Sequence, residues 1–133
     1  MNDKSEIIGK VAEGFVNALL FSSCNEEGDY YDDLGVEASS QLKEEAHHLC
    51  GLFYDENEKD CTLFAQQYQP SQGHDVWECL GHDLWLTSAG HGVGFWDRGL
   101  GELGERLTAA CSYVRPYAHR EIYLGDDDLI YLA

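Results

Sequence analysis

The chain has 133 residues, of which 44% are hydrophobic and 12% aromatic, and a formal net charge of −17. That length suits one domain over residues 1–133 with a real core, and that apolar content excludes a disordered chain. No apolar run approaches the roughly 20 residues of a membrane span, and no basic patch is present to hold nucleic acid directly.

The predicted elements begin with a helix up to Phe21. Asp3-x-x-Glu6 has capping-box spacing, Ser5 is a second candidate cap, and Ile8, Val11, Phe15, Ala18 and Leu19 recur at helical intervals. Ser22 to Gly35 reads as an acidic loop around Tyr30 and Tyr31. Ser39 or Ser40 caps a second helix with the apolar stripe Leu42, Ala46, Leu49 and Phe53. Asp55 to Asp60 interrupts it, and Cys61, Phe64, Ala65 and Tyr68 resume the stripe, giving one bent helix or two, ended by Pro70 to Gly73.

Val76 to Leu80 reads as a short helical or irregular lead-in. From Asp83 the pattern turns to β: Leu84 to Thr87 as a strand, Ser88 to Gly92 as a turn, Val93 to Trp96 as the returning strand. Both faces of this hairpin carry large apolar groups, so it should be central and covered. Leu100, Leu103, Leu107, Ala110, Cys111 and Val114 outline a further amphipathic helix. Glu121 to Leu124 and Leu129 to Leu132 flank Gly125-Asp126-Asp127-Asp128 as a closing hairpin. The expected fold is therefore α+β: three or four helices packed on a four-stranded antiparallel sheet made of two hairpins.

Two groups of residues compete as the functional site. The first is the acidic stretch from Cys24 to Asp60, where twelve acids stand against two lysines in 37 residues. A charge of this size exceeds what solubility needs and points to a basic partner surface. The candidate contact residues are Glu26, Glu27, Asp29, Tyr30, Tyr31, Asp32, Asp33, Glu37, Glu44, Glu45, Asp55, Glu56, Glu58 and Asp60. The second group is His82, Asp83, His91, Asp97 and Arg98, which could serve a divalent metal or acid–base chemistry. Strand alternation sends His82 and Asp83 to opposite faces, and a rise of about 3.3 Å per residue separates His82 from His91. That disfavours one metal centre. Asp97 then caps the following helix or pairs with Arg98.

Other constellations are weaker. His47 and His48 should lie at a helix's wet edge with Cys50 partly buried. The five cysteines form no C-x-x-C pair and read as reduced thiols. Asp126 to Asp128 lacks the EF-hand spacing. Trp77, Trp85 and Trp96 have no basic neighbours and read as core. No P-loop, G-x-S-x-G or dinucleotide fingerprint occurs, so no cofactor is expected. The first residues lack a basic n-region and cleavage site, which gives the expectation of a cytoplasmic protein.

The run His82-Asp83-x-Trp85-Leu86-Thr87-x-x-x-His91-Gly92-x-Gly94-Phe95-Trp96-Asp97-Arg98-Gly99 resembles the signature of a widespread group of small bacteriophage proteins of unknown function. The similarity extends to Ala18–Ser23, Gly104–Thr108 and Gly125–Asp127. Ser88-Ala89 departs from the Arg-Asn expected there, which makes this copy more acidic. The resemblance implies a phage or prophage origin and action in the host cytoplasm. It carries over no activity and no catalytic residue. With it, the acidic stretch reads as a DNA-mimic-like inhibitor of a host defence complex, anti-CRISPR or anti-restriction, whose nucleic-acid channel is basic. The alternatives are a phage accessory protein binding a phage or host partner without mimicry, and a small metal-dependent enzyme using His82, Asp83, His91 and Asp97.

Overall fold

The computed structural model describes residues 3–70, 73–91 and 93–133. Six helices and three short strands follow in the order α1 (Lys4–Ser22), β1 (Glu37–Ala38), α2 (Ser40–Glu56), α3 (Glu58–Gln67), α4 (Val76–Ala89), α5 (Glu102–Ala110), α6 (Arg115–Ala118), β2 (Ile122–Leu124) and β3 (Leu129–Leu132). Single 3-10 turns occupy Phe95–Asp97 and Cys111–Tyr113. The fold is thus mainly helical, and the four-stranded antiparallel sheet expected from the sequence is corrected to a three-stranded mixed one. β3 is central, parallel to β1 and antiparallel to β2.

The early helices form where capping and periodicity place them. The Asp3 carboxylate accepts the Glu6 N–H at 2.9 Å, and Ser39 Oγ accepts the Leu42 N–H at 3.1 Å. Each satisfies a backbone donor that the first helical turn leaves without a partner. α2 and α3 are separate helices that meet at Asn57, whose N–H and side-chain amide both donate to the Phe53 carbonyl. The stripe Leu42, Ala46, Leu49 and Phe53 is buried as expected.

The largest departure is residues 84–96. α4 runs unbroken through Ala89, so Leu84 to Thr87 is helix and no hairpin forms. Asp75 caps it, accepting from Trp77 N–H at 2.8 Å and Glu78 N–H at 3.4 Å. Gly90, at φ 82°, closes it: its N–H and that of His91 return to the carbonyls of Thr87 and Leu86. A non-glycine residue resists that left-handed geometry. α4 misleads because it is buried on nearly every side. Leu80, Leu84, Trp85, Leu86, Thr87 and Ser88 are all buried, so no polar face shows a helical period. Val93 to Trp96 is irregular chain and a 3-10 turn, held by the Phe95 N–H donating to Thr87 Oγ1 at 3.1 Å. Phe95 itself is fully buried between Phe53 and Phe64.

α1 and α4 run parallel at the centre of the molecule, and two glycines set how closely they approach. A Cβ at Gly14 would lie 2.0 Å from the Glu78 carbonyl oxygen, and one at Gly81 2.0 Å from that of Val11. Along the same seam the Lys10 ammonium meets the Asp75 carboxylate at 3.0 Å, and the Trp85 indole N–H donates to Ser22 Oγ at 2.8 Å. α2 lies antiparallel to α1, with Lys4 paired to Asp55 at 2.5 Å at one end and Val16 and Leu20 beside Lys43 and His47 at the other. The closing hairpin forms as expected. Gln41 extends the short β1 edge by bonding both the N–H and the carbonyl of Leu132 through its amide.

Candidate acidic interface

The acidic loop is an ordered structure pinned to the end of α1. Asn25 Oδ1 accepts the N–H groups of Glu27 at 3.0 Å and Asp29 at 2.9 Å, and Cys24 bridges Tyr30. The N–H groups of Tyr31 and Asp32 donate to the carbonyls of Ser23 and Leu20. Tyr31 is buried in the core, so it anchors the loop and is withdrawn from the surface to which the sequence assigned it. Tyr30 and Leu34 stand exposed among Glu26, Glu27, Asp29, Asp32 and Asp33, all exposed.

Beyond the loop the remaining acids follow α2. Eleven residues of α-helix turn through three revolutions to within about 20° and rise about 16 Å. Glu44 therefore stands in line with Asp55, and Glu45 with Glu56, along one flank. Between them the flank carries His48 and Leu52, both exposed, so the charge forms two clusters joined by a less polar middle. Glu37 adjoins the first cluster; Glu58 and Asp60 adjoin the second.

Few cations neutralise this surface. Of the twelve acids between Cys24 and Asp60, three have a cation within 4 Å among the described residues: Asp55 with Lys4, Asp60 with Arg106 at 3.1 Å and Glu45 with Arg120 at 3.6 Å. The other nine have none, and all nine are exposed. Five of the nine crowd into the loop between Glu26 and Asp33, Glu37 lies in β1, Glu44 and Glu56 lie near the two ends of α2, and Glu58 opens α3.

The alternative group does not converge. Asp83 is buried and gripped by Arg98, whose Nη2 donates to Oδ1 at 2.7 Å and whose Nε donates to Oδ2 at 3.0 Å. Burial pushes the Asp83 carboxyl above the usual carboxylate range, and Arg98 offsets part of that push. His82 is half-buried, edge-on to the Phe21 ring at 5.8 Å, and burial holds its pKa below the ordinary 6.5. His91 is exposed beyond Gly90, and Asp97 is exposed in the 3-10 turn. Asp97 neither caps α5, whose first turn has no side-chain cap, nor takes Arg98 from Asp83. From His82 to Ala89 the helix rises about 10 Å, and His91 lies beyond its end. Among the described residues no three His, Cys, Asp or Glu side chains gather as a ligand set.

The minor constellations resolve simply. His47 and His48 are exposed while Cys50 is buried. Cys50, Cys61, Cys79 and Cys111 are buried free thiols, and Cys24 is exposed. Trp85 is core and Trp77 half-buried, but Trp96 is 53% exposed, which corrects its assignment to the core. Gly92 of the expected turn lies outside the described residues. Among the described residues no helix is long and apolar enough to cross a membrane.

The cap at Asp75 and the glycine seam go beyond what was expected from the sequence. Asp75-x-x-Glu78 has the same spacing as Asp3-x-x-Glu6 and was legible; the pairing of Gly14 with Gly81 needs the packed helices to be seen. No protein-family model, curated protein or solved structure matches the chain.

Proposed function

We propose that this chain is an acidic interaction protein that docks on the basic, nucleic-acid-binding surface of a partner and imitates the charge of DNA there. One observation carries the reading: nine exposed carboxylates between Glu26 and Glu58 have no cation within 4 Å among the described residues. Self-repulsion on this scale destabilises a compact domain, and a basic partner relieves it. Tyr30 and Leu34 add an apolar contact within the acidic loop, which matches interfaces in which an aromatic anchor is ringed by polar groups.

The likeness of residues 82–99 to small phage proteins supports a partner in a bacterial host. Restriction and CRISPR complexes hold DNA in basic channels and are the proposed targets, with action in the host cytoplasm. The test is capture of host proteins on the immobilised chain at low and high salt. Recovery of a DNA-binding complex that salt releases, and that DNA displaces, supports mimicry. A partner retained at high salt overturns it, because association driven by exposed charges is screened over a Debye length of about 3 Å at 1 M salt.

A further inference from the structure

A groove of about 500 Å³ opens between α1, β1 and the first turns of α2. Its floor is apolar, formed by Ala12, Val16 and Leu20 of α1 with Val36 and Ala38. Its walls carry the carboxylates of Glu13 and Glu37 and the ammonium of Lys43, none with an ion-pair partner among the described residues. Gly9 also lines it, inside a helix that glycine weakens relative to alanine. Gly14 in the same helix is demanded by the Glu78 backbone, but a Cβ at Gly9 would meet nothing within 4 Å. Close packing does not account for Gly9, whereas a larger residue there would fill the groove.

We propose that this groove is the anchor pocket of the interface and receives one arginine or lysine side chain of the partner. The methylene stem lies on the apolar floor and the cationic head faces Glu13 and Glu37. The proposal rests on the acidic-interaction reading above. Charge selects a cation: two carboxylates outweigh one ammonium, within a chain of net charge −17. Position supports the same occupant, since Glu37 belongs both to the groove and to the acidic surface, and Leu20 and Val36 flank the acidic loop. Exposed carboxylates chiefly set the speed and salt dependence of association. Affinity concentrates in a few side chains desolvated in pockets, and arginine is prominent among them.

Amide NMR of the whole chain tests this with Nα-acetyl-arginine amide and its neutral isostere Nα-acetyl-citrulline amide. The arginine probe should shift the amides of Ala12, Val16, Leu20, Val36 and Ala38 saturably, and citrulline should bind at least about tenfold more weakly. Lys43→Gln should tighten the arginine probe. Gly9→Leu should abolish binding while raising Tm; Asn17→Trp, at an exposed position on the rim, supplies the same block if Gly9→Leu fails to fold. Equal binding of citrulline, weaker binding in Lys43→Gln, or arginine binding unaffected by both blocking variants overturns the proposal. In the host capture, loss of the partner on neutralising Glu26, Glu27, Asp29, Asp32 and Asp33, with full retention by Gly9→Leu, overturns the pocket and leaves the acidic surface standing. Salt-insensitive capture by the unaltered chain overturns the surface instead.

Discussion

The Asp83 carboxylate and the Arg98 guanidinium form a two-pronged ion pair, with Nη2 at 2.7 Å from Oδ1 and Nε at 3.0 Å from Oδ2. The acid is 1% exposed and sits in α4; the arginine is half-buried in the irregular segment that follows the 3-10 turn. The pair therefore ties that segment to the central helix. Removing one partner leaves a buried charge without compensation, which costs about 3 kcal/mol or more, whereas replacing both by apolar residues of similar volume is often neutral. Arg98→Ala should lower the unfolding free energy by about 3 kcal/mol. Asp83→Leu combined with Arg98→Met should recover most of that loss in urea denaturation. A double variant as unstable as Arg98→Ala would show that the carboxylate has a role beyond the pair.

The α1–α4 seam predicts opposite outcomes for one kind of substitution in two places. Helix propensity alone favours Gly→Ala by about 1 kcal/mol inside a helix. At Gly9 nothing opposes this, and Gly9→Ala should raise stability by roughly that amount. At Gly81 the new Cβ would lie 2.0 Å from the Val11 carbonyl oxygen, a backbone atom that cannot swing aside. Overpacking of that kind costs about 1–3 kcal/mol, occasionally more. Gly81→Ala should therefore destabilise by about 2 kcal/mol despite its better propensity. Thermal unfolding of the two variants side by side checks the contrast.

His82 predicts a pH dependence. Burial beside Phe21 holds its pKa below 6.5, so around and below pH 6.5 the unfolded chain binds more proton there than the folded chain does. Stability then falls as pH drops below 6.5 and continues to fall until the folded-state pKa is reached. Asp83 acts in the opposite sense at lower pH: its raised carboxyl pKa makes the folded state gain as pH falls toward 3.8. A slope between pH 7 and pH 6 that His82→Gln removes belongs to His82. Parallel curves for the two proteins would show that the imidazole titrates as freely folded as unfolded.

What the sequence made legible follows from where its polar groups lie. α1 and α2 each have one dry stripe, one wet face and a capping side chain, so Asp3, Ser39, Leu42 and Phe53 announced themselves. The closing hairpin has alternating apolar residues and an acidic turn. α4 has neither signal. Leu84-Trp85-Leu86-Thr87 is dry all round because α1 covers one side and the Phe95 segment another, and a dry run of four residues fits a strand as well as a helix. β1 was invisible because two residues have no period. The acids of the candidate interface were legible as composition, but their division into two clusters, and the withdrawal of Tyr31, came only with the fold.

The acidic surface predicts an unusual response to salt. Glu26, Glu27, Asp29, Asp32 and Asp33 are exposed and lack a cation within 4 Å among the described residues, so none stabilises the loop through an ion pair. The loop is held instead by Asn25, by backbone hydrogen bonds and by the buried Tyr31 ring. Like charges crowded in this way repel, and salt weakens that repulsion over a Debye length that shrinks from about 30 Å at 0.01 M to about 10 Å at 0.1 M. Raising sodium chloride across that range should raise Tm of the unaltered chain. Changing the five acids to Asn or Gln should raise Tm at low salt and flatten the salt dependence. The same variant should lose the salt-released host partner. A loop that loosens on neutralisation, seen as a fall in Tm together with faster amide exchange at Glu27 and Asp29, would show that the carboxylates serve the fold, and the surface would lose its claim to be an interface.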